Sequence, residues 1–281
     1  MEDRLWLGLA GLFAFLGALR GAYMCGSRSK ESGRLIDLFL LAAWGCQSVF
    51  LYLRGRSIGH CPITNLLETV AFLGWALFLM YLLVGSAYRL SVLGFCTAPV
   101  VSLLDFAALI APIDRAKPLP KLGWPLEVHG TALLLAYGAL GIGAVAALLY
   151  LFEDRTLKSR RVAGWFCTFP ALGDLLVVQR RLLYLGFVLL TAGLLVGVLL
   201  SARGNWDWVK LFWSVGVWLL YLVLVCARGI LHWSPRRIAQ GMVCGFLFVL
   251  LTFWLINSWS RAHDFGSHLP GCGASGPLCE R

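Results

Sequence analysis

The chain has 281 residues, of which 59% are hydrophobic and 14% charged, with a formal net charge of +10. A soluble domain carries about one quarter charged residues, so this composition, with a mean hydropathy of +0.79, excludes an ordinary soluble enzyme. The positive charge is explained by basic loops at a membrane surface, and nucleic-acid binding is not expected.

A membrane span needs roughly 20 mostly apolar residues. Eight runs meet that need: Leu5–Met24, Leu35–Leu53, Leu66–Val84, Leu90–Ile110, Thr131–Phe152, Leu182–Leu200, Leu211–Leu231 and Ile238–Ile256. Lipid offers no partner for a backbone N–H or C=O, so each run must be a helix. The expected fold is all-α, a polytopic integral membrane bundle of about eight transmembrane helices. It forms a single membrane domain over residues 1–281, with residues 267–281 as a flexible outward tail. The first run resembles a signal peptide, but its length and the lack of a basic start before it favour a retained helix.

An even number of spans puts both termini on one side. Links 1–2, 3–4, 5–6 and 7–8 carry the denser Lys/Arg, including Arg155–Arg161, the pair Arg180–Arg181 and the pair Arg236–Arg237. That side is therefore expected to be cytoplasmic. The expected location is a bacterial inner membrane with both termini on the outer, periplasmic side.

In chain order, Arg20 and Asp37 fall near inner helix ends, where Arg20 can snorkel to the interface. The second link carries Arg54, Arg56, His60 and Cys61 outward, and Pro62 closes it. Thr64 is placed to cap helix 3, with Asn65 and Glu68 opening it. Two readings of Glu68 stand: a carboxylate favoured by the positive end of the helix dipole, or a functional ionisable residue inside a span. Pro99 is expected to kink helix 4. Asp105, in its outer half, either meets a buried partner or lines a polar cavity.

The fourth link is Pro-rich, carries Lys121, and ends at Trp124 and His129, where helix 5 starts. Ala136, Gly138, Gly141, Gly143 and Ala144 give helix 5 a face for close helix contact. The link between helices 5 and 6 is basic, amphipathic and expected on the inner surface. Of nine cysteines, none forms a CxxC pair, which argues against a thiol-reductase role. Cys167 lies in that inner link. Cys272 and Cys279 lie in the outward tail, where a disulfide is plausible if that side is oxidising. Neither a Walker loop nor a GxSxG or HExxH motif is present.

The organising stretch is Arg203–Tyr221, RGNWDWVKLFWSVGVWLLY. Trp206 and Trp208 bracket Asp207, and Trp213 and Trp218 follow. One reading is an aromatic belt at the membrane boundary. The other is a flat aromatic shelf that holds a flat ligand. His60, His129, His263 and His268 all fall at outward ends of spans, around this loop. Two neutral imidazoles on either side of such a shelf have the chemistry to ligate a haem iron axially. Arg54, Arg56, Lys121, Arg203, Lys210 and Arg261 are cations on that side for the propionates.

Four segments carry a family resemblance over about residues 58–266. GHCPITNLLETVAFLGW (59–75) is similar to a Gly-x-x-Pro-(Leu/Ile)-(Ser/Thr)-Asn-Leu-x-Glu pattern. LEVHGTALLLAYGAL (126–140) matches a His-led helix. WDWVKLFWSVGVWLLY (206–221) resembles a Trp-Asp-Pro-Lys-x-x-Trp-Ser signature, and INSWSRAHDFG (256–266) an Asn followed by an outer His. The chain thus resembles the membrane cytochrome c assembly proteins of CcsA/ResC/CcmC type, and particularly their shorter HemX-like branch.

The resemblance implies that haem b binds as a substrate at the outer loop. His129 and His263 fall at the places of its axial ligands. Trp206, Asp207, Trp208 and Trp213 would form the platform. Arg54, Lys121, Arg203 or Arg261 would meet the propionates. It also implies apocytochrome c, or another biogenesis membrane protein, as partner. In this chain Trp208 follows Asp207 where fuller members have Pro, and the loop is shorter. Two alternatives stand beside this reading. One is a haem-binding regulatory or accessory membrane protein without ligation activity. The other is a small-solute permease with Glu68 and Asp105 along its path.

Overall fold

The computed structural model describes residues 2–27, 34–63, 65–85, 91–110, 124–158, 171–201 and 208–259. The described residues form eight α-helices: α1 (Glu2–Ser27), α2 (Arg34–Ile58), α3 (Leu66–Met80), α4 (Ser91–Ile110), α5 (Trp124–Lys158), α6 (Leu172–Ser201), α7 (Trp208–Gly229) and α8 (Pro235–Trp259). Seven of them are long and apolar enough to cross a membrane, and α8 has 25 residues. The all-α membrane bundle read from composition is what the chain adopts.

The longest helix, α5, is the hub, packing against α3, α4, α6 and α8. Its small residues explain why. Association in lipid rests on close packing rather than on water release, so backbones must approach. Gly138 lies so close to α3 that an added Cβ would meet Ala76 at 3.0 Å. A Cβ added at Gly141 would meet Phe246 of α8 and Leu77 of α3 at 3.0 and 3.1 Å, and one at Gly143 would meet Met242 and Leu182. Ala136, Gly138, Gly141, Gly143 and Ala144 are all buried, as the spacing predicts. A second group, α1, α2 and α4, packs on α3 from the other side. Large apolar side chains such as Leu103, Leu195 and Phe212 stay exposed on the outer faces, where lipid would cover them.

Several boundaries differ from the apolar runs. α5 begins at Trp124, seven residues before Thr131, and α6 at Leu172, ten before Leu182. Apolar windows stop at charges, but a helix continues into water as long as its backbone bonds are made. Pro125 suits the first turn, where its missing N–H is no loss, and Glu127 suits the dipole there. At 1.5 Å per residue, α5 is about 50 Å long against roughly 30 Å of hydrocarbon. His129 thus sits inside the helix near its N-terminal end, rather than closing a link.

The first turn of α3 is capped by Asn65, whose Oδ1 accepts from the Glu68 N–H at 2.8 Å. Thr64 lies outside the described residues. α4 runs as one helix through Pro99. The end of α3 passes into a π-helical turn over Tyr81–Gly85. There Tyr81 donates to Asp37 Oδ1 at 2.6 Å, tying the end of α3 to the first turn of α2. α2 ends at Gly59, whose φ of +77° supplies the left-handed residue that closes a helix. Its N–H bonds Gly55 O at 2.9 Å.

Candidate functional site

Sequence alternation puts the end of α2, the starts of α1, α3, α5 and α7, and the ends of α4, α6 and α8 on one side. Contacts confirm part of that grouping. Arg54 of α2 meets Glu68 of α3 at 2.9 Å and Asp3 of α1 at 3.6 Å. The short link after α2 reaches α5, where Ile63 fills the space beside Gly130.

His129 projects from α5 onto α6. Its Nδ1 lies 2.7 Å from the carbonyl oxygen of Gly193. A carbonyl only accepts, so Nδ1 carries the hydrogen and Nε2 keeps its lone pair when the ring is neutral. One turn further along α6, Gly197 leaves the space that the ring fills. A Cβ there would come within 2.5 Å of His129 Cε1 and 2.8 Å of Nδ1. Gly193 makes similar room for Leu133. The Gly-x-x-x-Gly spacing of 193 and 197 was visible in the sequence as a close-approach signal, yet it was not connected to His129. Replacing Gly197 with alanine is expected to push the imidazole off its carbonyl while leaving the fold intact. A structure of the Gly197→Ala protein, with its circular dichroism spectrum, checks this.

The aromatic residues are fixed from α6 and α8. Trp213 donates from Nε1 to Thr252 Oγ1 of α8 at 2.8 Å. Trp218 donates to Thr191 Oγ1 of α6 at 2.9 Å, and its ring stacks on Phe187 with centroids 5.7 Å apart. Trp208 opens α7, is 58% exposed, and has its ring 6.2 Å from Phe212. Trp206, Asp207, Arg203, Lys121, His263, His268 and Arg261 lie outside the described residues, as do Cys167, Cys272, Cys279 and the tail 267–281.

Glu68 is fully buried. Its Oε1 accepts from Arg54 Nε at 2.9 Å and from Asn65 Nδ2 at 3.1 Å, while Asn65 caps the Glu68 N–H. This closed set holds α2, α3 and the N-terminal end of α1 together. It engages Arg54 with two carboxylates. Asp105 is also fully buried; its Oδ1 accepts from Gln47 Nε2 at 2.8 Å. That is the buried partner the sequence left open, supplied by α2.

Cys61 lies in the link between α2 and α3. Burial first, then the negative charges of Glu127 and Glu68, push its thiol up to about 11 from an ordinary 9.0. Folding therefore favours the protonated thiol. The stability this contributes is complete below pH 9.0 and fades as pH rises towards 11. Alkylation at Cys61, followed by peptide mapping, is expected to be slow at pH 8 and to accelerate above pH 10. Rapid labelling at pH 8 in the folded protein would contradict it.

The chain matches the model of the family described as Cytochrome C assembly protein over residues 63–263. It is also similar to proteins named cytochrome c biogenesis protein CcsA. The relative from Synechococcus sp. (strain CC9605) is 29% identical, with 89% of this chain and 92% of that protein covered. The relative from Chlamydomonas reinhardtii is 30% identical, covering 92% of this chain and 73% of that protein. The relative from Guillardia theta is 28% identical, covering 79% of this chain and 82% of that protein. The matched span takes in the α3 cap, the His129 seat, the Trp-rich start of α7 and the region after α8, and the chain belongs to the cytochrome c assembly family.

Proposed function

We propose that this protein handles haem for cytochrome c biogenesis, holding haem b at the outer end of the bundle and presenting it to apocytochrome c. His129 and His263 are the axial ligands in this reading. Trp206, Asp207, Trp208 and Trp213 form the platform, and Lys121, Arg203 or Arg261 meets the propionates. Arg54 was a further candidate for the propionates. Its bonds to Glu68 and Asp3 favour a part in the fold.

The observation that carries the reading is the His129 seat. An imidazole whose Nδ1–H is held by a backbone carbonyl is the arrangement metal-ligating histidines use, since it fixes the ring and leaves Nε2 for the metal. The indoles of Trp213 and Trp218 add rigidity, because each N–H is bonded to a threonine on a different neighbouring helix. Haem supplies its iron and vinyl groups. Thioether bonds would form with the CxxCH thiols of the partner, so the chain itself needs no acid or base. Its own task is to bind, orient and release.

The permease reading gains less support. Glu68 and Asp105 are engaged with Arg54, Asn65 and Gln47 inside the bundle. The location that fits is a bacterial inner membrane, with this end outward. Deletion of the gene separates assembly from regulation. Assembly predicts that c-type cytochromes disappear while b-type haem proteins and haem synthesis stay normal. A strain that keeps its c-type cytochromes and alters haem synthesis instead would favour the regulatory alternative.

A further inference from the structure

At the opposite end of the bundle, α6, α7 and α8 leave a shallow, open cleft. Arg180 of α6 and Arg228 of α7 line it, together with Gln179, Leu176, Leu183 and Ile238. Neither arginine has an acidic partner among the described residues. Gln179 is only 3% exposed, and its Oε1 is buried without a hydrogen-bond partner among those residues. A buried amide left this way is destabilising unless something else bonds it.

The three polar groups are complementary to one kind of ligand. Two guanidinium groups recognise a phosphate. A carboxamide accepts from a hydroxyl or, turned over, donates to an oxygen. Leu176, Leu183 and Ile238 make the rest of the lining apolar. The depth agrees: Gln179 and Arg180 stand just before the apolar run of α6, and Arg228 just before the end of α7. The cleft encloses little more than the space of one water, so a ligand lies across its mouth rather than inside it, as a lipid headgroup does. We infer that this cleft is a binding site for the headgroup of an anionic phospholipid, with its phosphate across the mouth between Arg180 and Arg228 and the Gln179 amide at the floor beneath it.

This inference does not depend on the haem site or on which side of the membrane the cleft faces. The test uses the full chain in nanodiscs of phosphatidylcholine with and without phosphatidylglycerol. Native mass spectrometry reads the lipid retained, and a thermal scan reads the stabilisation. The wild type is expected to retain phosphatidylglycerol and to melt at a higher temperature with it. Arg180→Gln and Arg228→Gln are each expected to weaken retention about five-fold, the effect of one basic residue near an anionic headgroup. Gln179→Glu sets a negative charge against the phosphate and is expected to abolish retention. It also keeps the test informative should the arginine variants fail to fold. Arg237→Gln, outside the cleft, is expected to leave retention unchanged. Equal retention by wild type, Arg228→Gln and Gln179→Glu would overturn the site. Stabilisation by inorganic phosphate alone, as large as that by the lipid, would overturn the lipid assignment in favour of a free-phosphate site.

Discussion

Replacing His129 with alanine is expected to remove most of the haem that the purified protein retains, read as Soret absorbance per protein. The ring is seated in a glycine gap on α6 and held through Nδ1 to Gly193 O at 2.7 Å. This arrangement directs all of its coordinating capacity to Nε2. Loss of an outer partner alone lowers affinity about 10–100-fold, so loss of the ligand itself is expected to exceed that range. Free imidazole added to the His129→Ala protein should restore part of the absorbance, because the gap left by the side chain suits it. A retained circular dichroism spectrum distinguishes ligand loss from unfolding. An unchanged Soret band would remove His129 from the site.

Glu68→Ala is expected to give the largest loss of stability of any single substitution at the outer end. The carboxylate is fully buried, its partner Arg54 has a side chain 15% exposed, and Asn65 bonds both the Glu68 N–H and Oε1. Removing one member of a buried pair leaves the other charge uncompensated, which costs about 3–5 kcal/mol. The thermal midpoint in detergent should fall accordingly. Asp3, at 3.6 Å, retains part of the Arg54 charge and sets the cost nearer the lower figure. A double change, Arg54→Met with Glu68→Leu, should recover much of the loss, since it removes both charges and keeps apolar volume. If Glu68→Ala kept its full stability while c-type cytochromes were lost in vivo, the group would belong to the function and not to the fold.

What the sequence made legible follows from what lipid permits. Backbone groups in hydrocarbon must be bonded within the segment, so eight apolar runs translate into eight helices with little ambiguity. The packing face of α5 was equally open to reading, because Gly138, Gly141 and Gly143 have no other physical use on a helix in lipid. Helix ends were less legible. Arg180 and Arg181 stopped the apolar count for α6, yet they are ordinary helical residues that carry the helix beyond the bilayer.

The cap of α3 was placed one residue early. Thr64 and Asn65 are both good capping residues, and tertiary contact with Arg54 selects the one whose amide also reaches Glu68. Asp105 announced a buried partner but could not name Gln47, 58 positions away on α2. The seat of His129 was hidden for the same reason. Its two halves, a histidine on α5 and two glycines on α6, acquire meaning only through the register in which those helices pack. The π-helical turn at Tyr81–Gly85 carried no proline to mark it, while Pro99, which did, sits within a continuous helix.

In the proposed site two imidazoles, His129 and His263, hold one iron. Electron paramagnetic resonance of the haem-loaded, oxidised protein tests it most directly. The account predicts a low-spin ferric signal with two nitrogen axial ligands, converted to high spin in both His129→Ala and His263→Ala. A high-spin signal in the wild type, or a protein that stays colourless after haem is supplied, would contradict it.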